Sequence, residues 1–179
     1  MKIGNFFRNK KQTEERNVLG SQFVVYLTTY HEKISLKNIE IELLDLSFSD
    51  FILPVEIINC RIEKLKIQNS SFYDGFKFEN NVLKSKFYYP EGGPNKGLFL
   101  LCGNEFYQRV SFADTFFDDE VYIKNNNFRQ GSTFLSDAKT YNWKLIQENN
   151  TGDIYLDYID FMGDGPDSNT YNELWQIRY

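Results

Sequence analysis

The stretch 65–83, LKIQNSSFYDGFKFENNVL, holds two consecutive copies of one short pattern. Reading along it, an apolar residue, any residue and a second apolar residue are followed by any residue, a small polar residue, two more positions and a third apolar residue. The copies are Leu65, Ile67, Asn69, Phe72 and Phe76, Phe78, Asn80, Leu83. The stretch 110–128, VSFADTFFDDEVYIKNNNF, supplies two more: Val110, Phe112, Asp114, Phe117 and Val121, Ile123, Asn125, Phe128. A unit this short cannot bury its own apolar side, so successive units must stack on one another. The reading decides architecture well before it says anything of function.

Weaker copies extend the pattern both ways. First positions fall at 23, 34, 44, 55, 65, 76, 87, 99, 110, 121, 132, 143 and 154. The units at Phe87 and Ser132 are degenerate, and the first of them contains Pro90, Gly92, Gly93 and Pro94, which read as a loop inserted between rungs. Two inward apolar residues separated by one outward residue are a strand signal, and the outward positions carry Glu56, Lys66, Lys77 and Lys124. Spacing of two and then five does not follow a helical stripe. Asn at the fifth position suits the bend after a short strand, because its side chain tolerates left-handed backbone angles. Asn stacked on Asn in successive coils would add a ladder of amide hydrogen bonds.

Two units make a coil of about 21–22 residues, as a parallel β-solenoid needs. The whole pattern then gives about six coils and a rod on the order of 30 Å long. The rival architecture is an antiparallel meander, which favours Asn-Gly or Asp-Gly turns. Asp74-Gly75 is the one such pair inside the clear repeats. The expectation is therefore an all-β parallel solenoid: a basic arm or cap over 1–22, the solenoid over 23–161 and a capping segment over 162–179.

Inward centres fall five or six residues apart at Ile57, Ile62, Ile67, Phe72, Phe78 and Leu83, and again at Leu101, Phe106, Phe112, Phe117, Ile123 and Phe128. On these residues the chain resembles the pentapeptide-repeat family of right-handed β-helices. Cys60 and Ser70 match that family's small position, and Asn127 precedes Phe128 as its Asn or Asp does. Large residues at Leu65, Phe76, Val110 and Val121 depart from it and imply a wider or flatter coil. The resemblance covers about 34–136. It implies a non-catalytic rod, and some members of the family imitate the shape and charge of DNA and so occupy enzymes such as gyrase.

The chain has 179 residues and a formal net charge of −5. No window reaches the roughly 18 apolar residues of a membrane span. Lys2 precedes no apolar signal-peptide core before Arg8, which sets a cytoplasmic expectation. Cys60 and Cys102, two coils apart, are expected to be free thiols. The single histidine, His31, is expected at the surface, and with two separated cysteines it supplies no zinc site. Gly92, Gly93, Lys96 and Gly97 lack the order of a phosphate loop and read as an excursion from the rod. No catalytic residue, metal ligand or cofactor is assigned.

Charge locates the candidate binding residues. Asp114, Asp118, Asp119 and Glu120 cluster near Arg109 and Lys124, while Asp153, Asp157, Asp160, Asp164 and Asp167 lie in a stretch without Lys or Arg. As an anionic surface they suit a basic protein partner. This gives the leading expectation, a non-catalytic interaction module of inhibitor or immunity type, with no direct binding of nucleic acid or membrane. A homodimer through a solenoid end stays open. The alternative is a small β-helix that binds or cleaves polysaccharide, with paired carboxylates as acid and base. Calcium at Asp160, Asp164, Asp167 and Asn169 fits no EF-hand spacing.

Overall fold

The structure, a computed structural model, describes residues 22–24, 29–112, 114–133 and 145–155. Within them the chain is all-β, and every strand pair is parallel. The strands stack into a β-solenoid. One wall consists of Ile34–Lys37, Val55–Ile58, Phe76–Glu79, Phe99–Cys102, Val121–Lys124 and Leu145–Glu148. Their register aligns Ile34, Val55, Phe76, Phe99, Val121 and Leu145, so the turns take 21, 21, 23, 22 and 24 residues. Five turns at a strand spacing of about 4.8 Å make a rod of roughly 24 Å.

Each turn carries three strands where two units had been read. The four-residue wall leads through a corner into a long wall built from Glu40–Asp45, Arg61–Lys66, Val82–Leu83, Glu105–Phe106 and Asn127–Thr133, with Phe87–Tyr88 and Val110–Ser111 further along it. A second corner leads into a short wall, Thr29–Tyr30, Asp50–Phe51 and Ser71–Phe72, continued by a bridge between Asn95 and Phe117. The eighth residue of every second unit, Phe51, Phe72 or Phe117, forms this short wall. The first residues of these same units, Leu44 and Leu65, lie along the long wall.

The core is a set of columns. Ile34, Val55, Phe76, Phe99 and Val121 form one; Ile57, Phe78, Leu101 and Ile123 a second; Ile41, Ile62, Leu83, Phe106 and Phe128 a third, and all are buried. Fully burying such a side chain stabilises by about 1.5–3 kcal/mol. Rings stack between turns: Phe51 on Phe72 at 5.0 Å, Phe76 on Phe99 at 4.9 Å and Phe106 on Phe128 at 5.3 Å. Offset pairs of this kind add about 0.5–1.5 kcal/mol each.

The corners explain the fifth position. After the four-residue wall, Asn38, Asn59, Asn80, Asn125 and Asn149 all have positive φ, between 52° and 56°. Asn bears that conformation at lower cost than other side chains. Gly103 stands in the same column because a Cβ there would lie 2.3 Å from Asn80 Oδ1. At the second corner Phe48, Asn69, Glu91 and Asp114 form a matching column of positive φ.

Two local readings are corrected. The segment through Pro90 and Pro94 is no excursion but the second corner of its turn. Asn69 N donates to Pro90 O at 3.0 Å and Phe116 N to Gly92 O at 2.8 Å, so the inserted residues keep the rung bonds of their neighbours. Tyr89 points inward and is fully buried, its hydroxyl 2.7 Å from Ser70 O and 2.8 Å from Asn95 Oδ1. Gly92 lies against it, where a Cβ would meet the Tyr89 ring at 2.1 Å. The unit read at Trp143 is the second correction: Leu145, two residues further on, pairs with Val121.

Candidate functional site

The residue after the corner Asn builds the ladder, in place of the corner Asn itself. Asn81, Asn104 and Asn126 are buried, and Asn150 continues their line. Each side-chain carbonyl accepts the backbone N–H of the ladder residue one turn earlier: Cys60 N to Asn81 at 2.8 Å, then Asn81 N to Asn104, Asn104 N to Asn126 and Asn126 N to Asn150, each at 2.9 Å. Each amide donates back to a carbonyl of the preceding turn, as Asn104 Nδ2 does to Phe78 O at 2.8 Å. Cys60 holds the same place with a thiol, its Sγ 3.5 Å from Leu36 O. Among the described residues the side chains of the corner column make only exposed contacts, Asn59 Nδ2 to Asn38 Oδ1 at 3.2 Å and Asn125 Nδ2 to Cys102 Sγ at 4.0 Å.

The four acidic residues singled out around 114–120 fall at two corners. Asp114 sits at the second corner, whereas Asp118, Asp119 and Glu120 follow the short wall at the third. Asp119 Oδ2 accepts the Gly97 N–H at 2.7 Å, which closes the corner of the preceding turn. Glu120 accepts the Tyr122 hydroxyl. Arg109 lies on the long wall, and Lys124 on the four-residue wall pairs with Glu148 at 3.0 Å. Asp153 belongs to the strand Thr151–Tyr155. Asp157, Asp160, Asp164 and Asp167 lie outside the described residues, as do most of the basic arm and the whole segment 162–179.

The two thiols are free and differently placed: Cys60 is inside the rod, and Cys102 lies on the outer side of its strand. Burial pushes the Cys60 thiol up from its ordinary range. His31 is exposed. No group of three His, Cys, Asp or Glu side chains suited to a metal ion occurs among the described residues. Nor is any helix there long and apolar enough to cross a membrane.

The outer faces differ in charge. On the four-residue wall each cation meets a carboxylate: Lys33 and Lys37 meet Glu56, Lys77 meets Glu79 and Lys124 meets Glu148. The long wall carries Arg61, Lys64, Lys66, Lys84, Lys86, Arg109 and Arg129 against Glu40, Glu42, Asp45, Glu63 and Glu105. Asp45 is taken up by Lys66 at 2.9 Å and Glu105 by Arg129. Burial opposes ionisation of Asp45, yet Lys66 and the hydroxyl and amide of Ser47, all donating to it, hold its carboxyl below the usual range. Tyr107 is covered on both faces, by Lys84 at 3.3 Å and Arg129 at 3.8 Å from its centroid.

Sequence reading missed this basic face, because its members lie a full turn apart in the chain. A signal was present: Lys64, Lys86 and Arg109 each stand directly before the first residue of a unit, Leu65, Phe87 and Val110. Comparison with known proteins adds no further constraint: no protein-family model, curated protein or solved structure matches this chain.

Proposed function

We propose that the chain is a non-catalytic solenoid whose rigid outer walls bind another protein. The observation that carries this reading is the use made of its carboxylates. Asp119 closes a corner of the coil, Glu120 holds Tyr122, and Asp114 belongs to a different corner. General acid–base cleavage of a glycan needs two carboxylates facing one bond. The charged side chains instead decorate flat, regularly spaced strands, a surface suited to recognition.

Kinship with the pentapeptide repeats belongs to the same proposal. The inward Ile, Leu and Phe columns support it, while three strands of unequal length per turn weigh against it. An inhibitor role goes with that kinship, and an immunity-type role with a toxin as the bound partner.

Affinity capture with the full chain from native lysate at low ionic strength, run beside a glycan-binding and glycan-cleavage screen, tests the reading. A protein partner recovered in stoichiometric amount, with no glycan bound or cleaved, is the expected result. Glycan cleavage that disappears in Asp118→Ala or Asp119→Ala would overturn it.

A further inference from the structure

The chain is acidic overall, yet its long wall gathers seven cations whose sequence positions span 61 to 129. At the centre of the face are Lys64, Lys86 and Arg109, all exposed. Phe87 and Val110 are paired in register, which sets Lys86 and Arg109 on adjacent turns; Lys64 lies one turn before, where the N–H of its neighbour Leu65 donates to Ser85 Oγ, next to Lys86, at 2.9 Å. Rungs about 4.8 Å apart therefore hold a row of positive charge along the rod axis. Lys66, Lys84 and Arg129 flank the row, and Tyr88 beside it is half exposed. Lys64 and Lys86 have no carboxylate within ion-pair distance among the described residues, unlike the cations of the four-residue wall. Like charges set this close repel one another, so the row is a place where an anion gains more than at an ordinary surface.

We infer that the Lys64, Lys86 and Arg109 row docks an acidic segment of a partner protein lying along the rod axis. This rests on the protein-binding reading above and names the surface and the chemistry of its partner. Charge complementarity argues for carboxylates. The row is short and framed by Glu42, Glu63 and Glu105, so a few anionic groups fit it and a long polyanion meets repulsion beyond its ends. Single-stranded nucleic acid is held by aromatic platforms on which bases stack. Here Lys84 and Arg129 already cover Tyr107, which leaves Tyr88 as a single open ring beside the row, where successive bases need successive platforms. The long lysine stems absorb any mismatch between the rung spacing and the spacing of carboxylates on the partner.

The test uses the full chain and fluorescence anisotropy with a labelled oligoglutamate peptide at low and at physiological ionic strength. Binding should weaken with salt and fall at least about tenfold in the double variant Lys64→Glu/Lys86→Glu. The variant Lys37→Glu/Lys96→Glu changes net charge equally on other faces and should bind within about threefold of the unaltered chain. Cooperative melting of both variants checks that they fold. Equal loss in the two variants, or no peptide binding by the unaltered chain, overturns the row as a site. Tighter binding of oligodeoxythymidine or a heparin oligosaccharide than of the peptide overturns the assignment to a protein partner. If affinity capture still recovers the same partner with Lys64→Glu/Lys86→Glu, the row fails while the protein-binding reading stands.

Discussion

Replacing Asn104 by alanine removes the middle of the buried amide ladder. Its Oδ1 accepts the Asn81 N–H at 2.9 Å, and its Nδ2 donates to Phe78 O at 2.8 Å and to Asn126 Oδ1 at 3.0 Å. Asn81 and Asn104 are both almost wholly buried, so no water replaces these partners. A buried donor or acceptor left unmatched costs about 1–3 kcal/mol. With the Asn81 N–H orphaned and Phe78 O deprived of a donor, the loss should be about 2–5 kcal/mol. That is a large part of the roughly 5–15 kcal/mol that holds a domain folded. Asn59→Ala supplies the contrast. It removes one exposed amide contact and an αL-tolerant residue, at about 1–2 kcal/mol. Urea unfolding followed by circular dichroism measures both. If Asn104→Ala costs no more than Asn59→Ala, the ladder does not hold the turns together and the reasoning fails.

Five further outcomes follow from the same geometry. Cys60→Asn should extend the ladder by one rung, with an amide for Leu36 O, and raise stability by about 1 kcal/mol in the same unfolding assay; in the unaltered chain a thiol reagent should modify Cys102 quickly and Cys60 only on unfolding, because burial keeps Cys60 protonated. Asp45→Asn should flatten the acid limb of the stability profile. Because the folded Asp45 carboxyl titrates below its unfolded value of about 3.9, its contribution is full above that value and is lost as pH falls through the lower folded one. Gly92→Ala should cost about 1–3 kcal/mol by thermal melting, since the added methyl collides with the buried Tyr89 ring. Phe48→Asn should stabilise by up to about 1 kcal/mol, because a φ of 56° suits Asn better than Phe and the phenyl ring is already exposed.

Much of the fold was legible because a stacked rung leaves a local trace. Alternation in Phe76, Phe78 and Val121, Ile123 marked the walls, and Asn80 and Asn125 marked the corners, since each expresses a constraint acting within a few residues. The third strand was hidden because two-residue strands such as Ser71–Phe72 carry no alternation of their own. The buried ladder was hidden for a different reason. Asn81, Asn104 and Asn126 look like loop residues in sequence, and only stacking at a separation of 22 or 23 residues gives them partners. Trp143 was read in place of Leu145 because alternating apolar residues fit either register, and a turn of 24 residues absorbs the difference. The segment around Gly92 read as an excursion because Pro and Gly mark turns, while its rung bonds come from chain a full turn away. Of the acidic candidates, Asp118, Asp119 and Glu120 stay together at one corner and Asp114 falls at another; Lys64 and Lys86, a turn apart in sequence, come to one wall.

The parallel in-register stack is the claim on which the rest stands, and one oxidation experiment tests it. Cys102 pairs in register with Glu79 on the neighbouring turn, and both side chains lie on the outer side of the four-residue wall. Parallel neighbours about 4.8 Å apart are within the Cα separation a disulfide spans. Glu79→Cys should therefore form an intramolecular disulfide with Cys102 under mild oxidation and leave Cys60 as the one titratable thiol in the unfolded monomer. An antiparallel meander does not bring residues 79 and 102 together; all three thiols remaining free, or only intermolecular dimers forming, would contradict the stack.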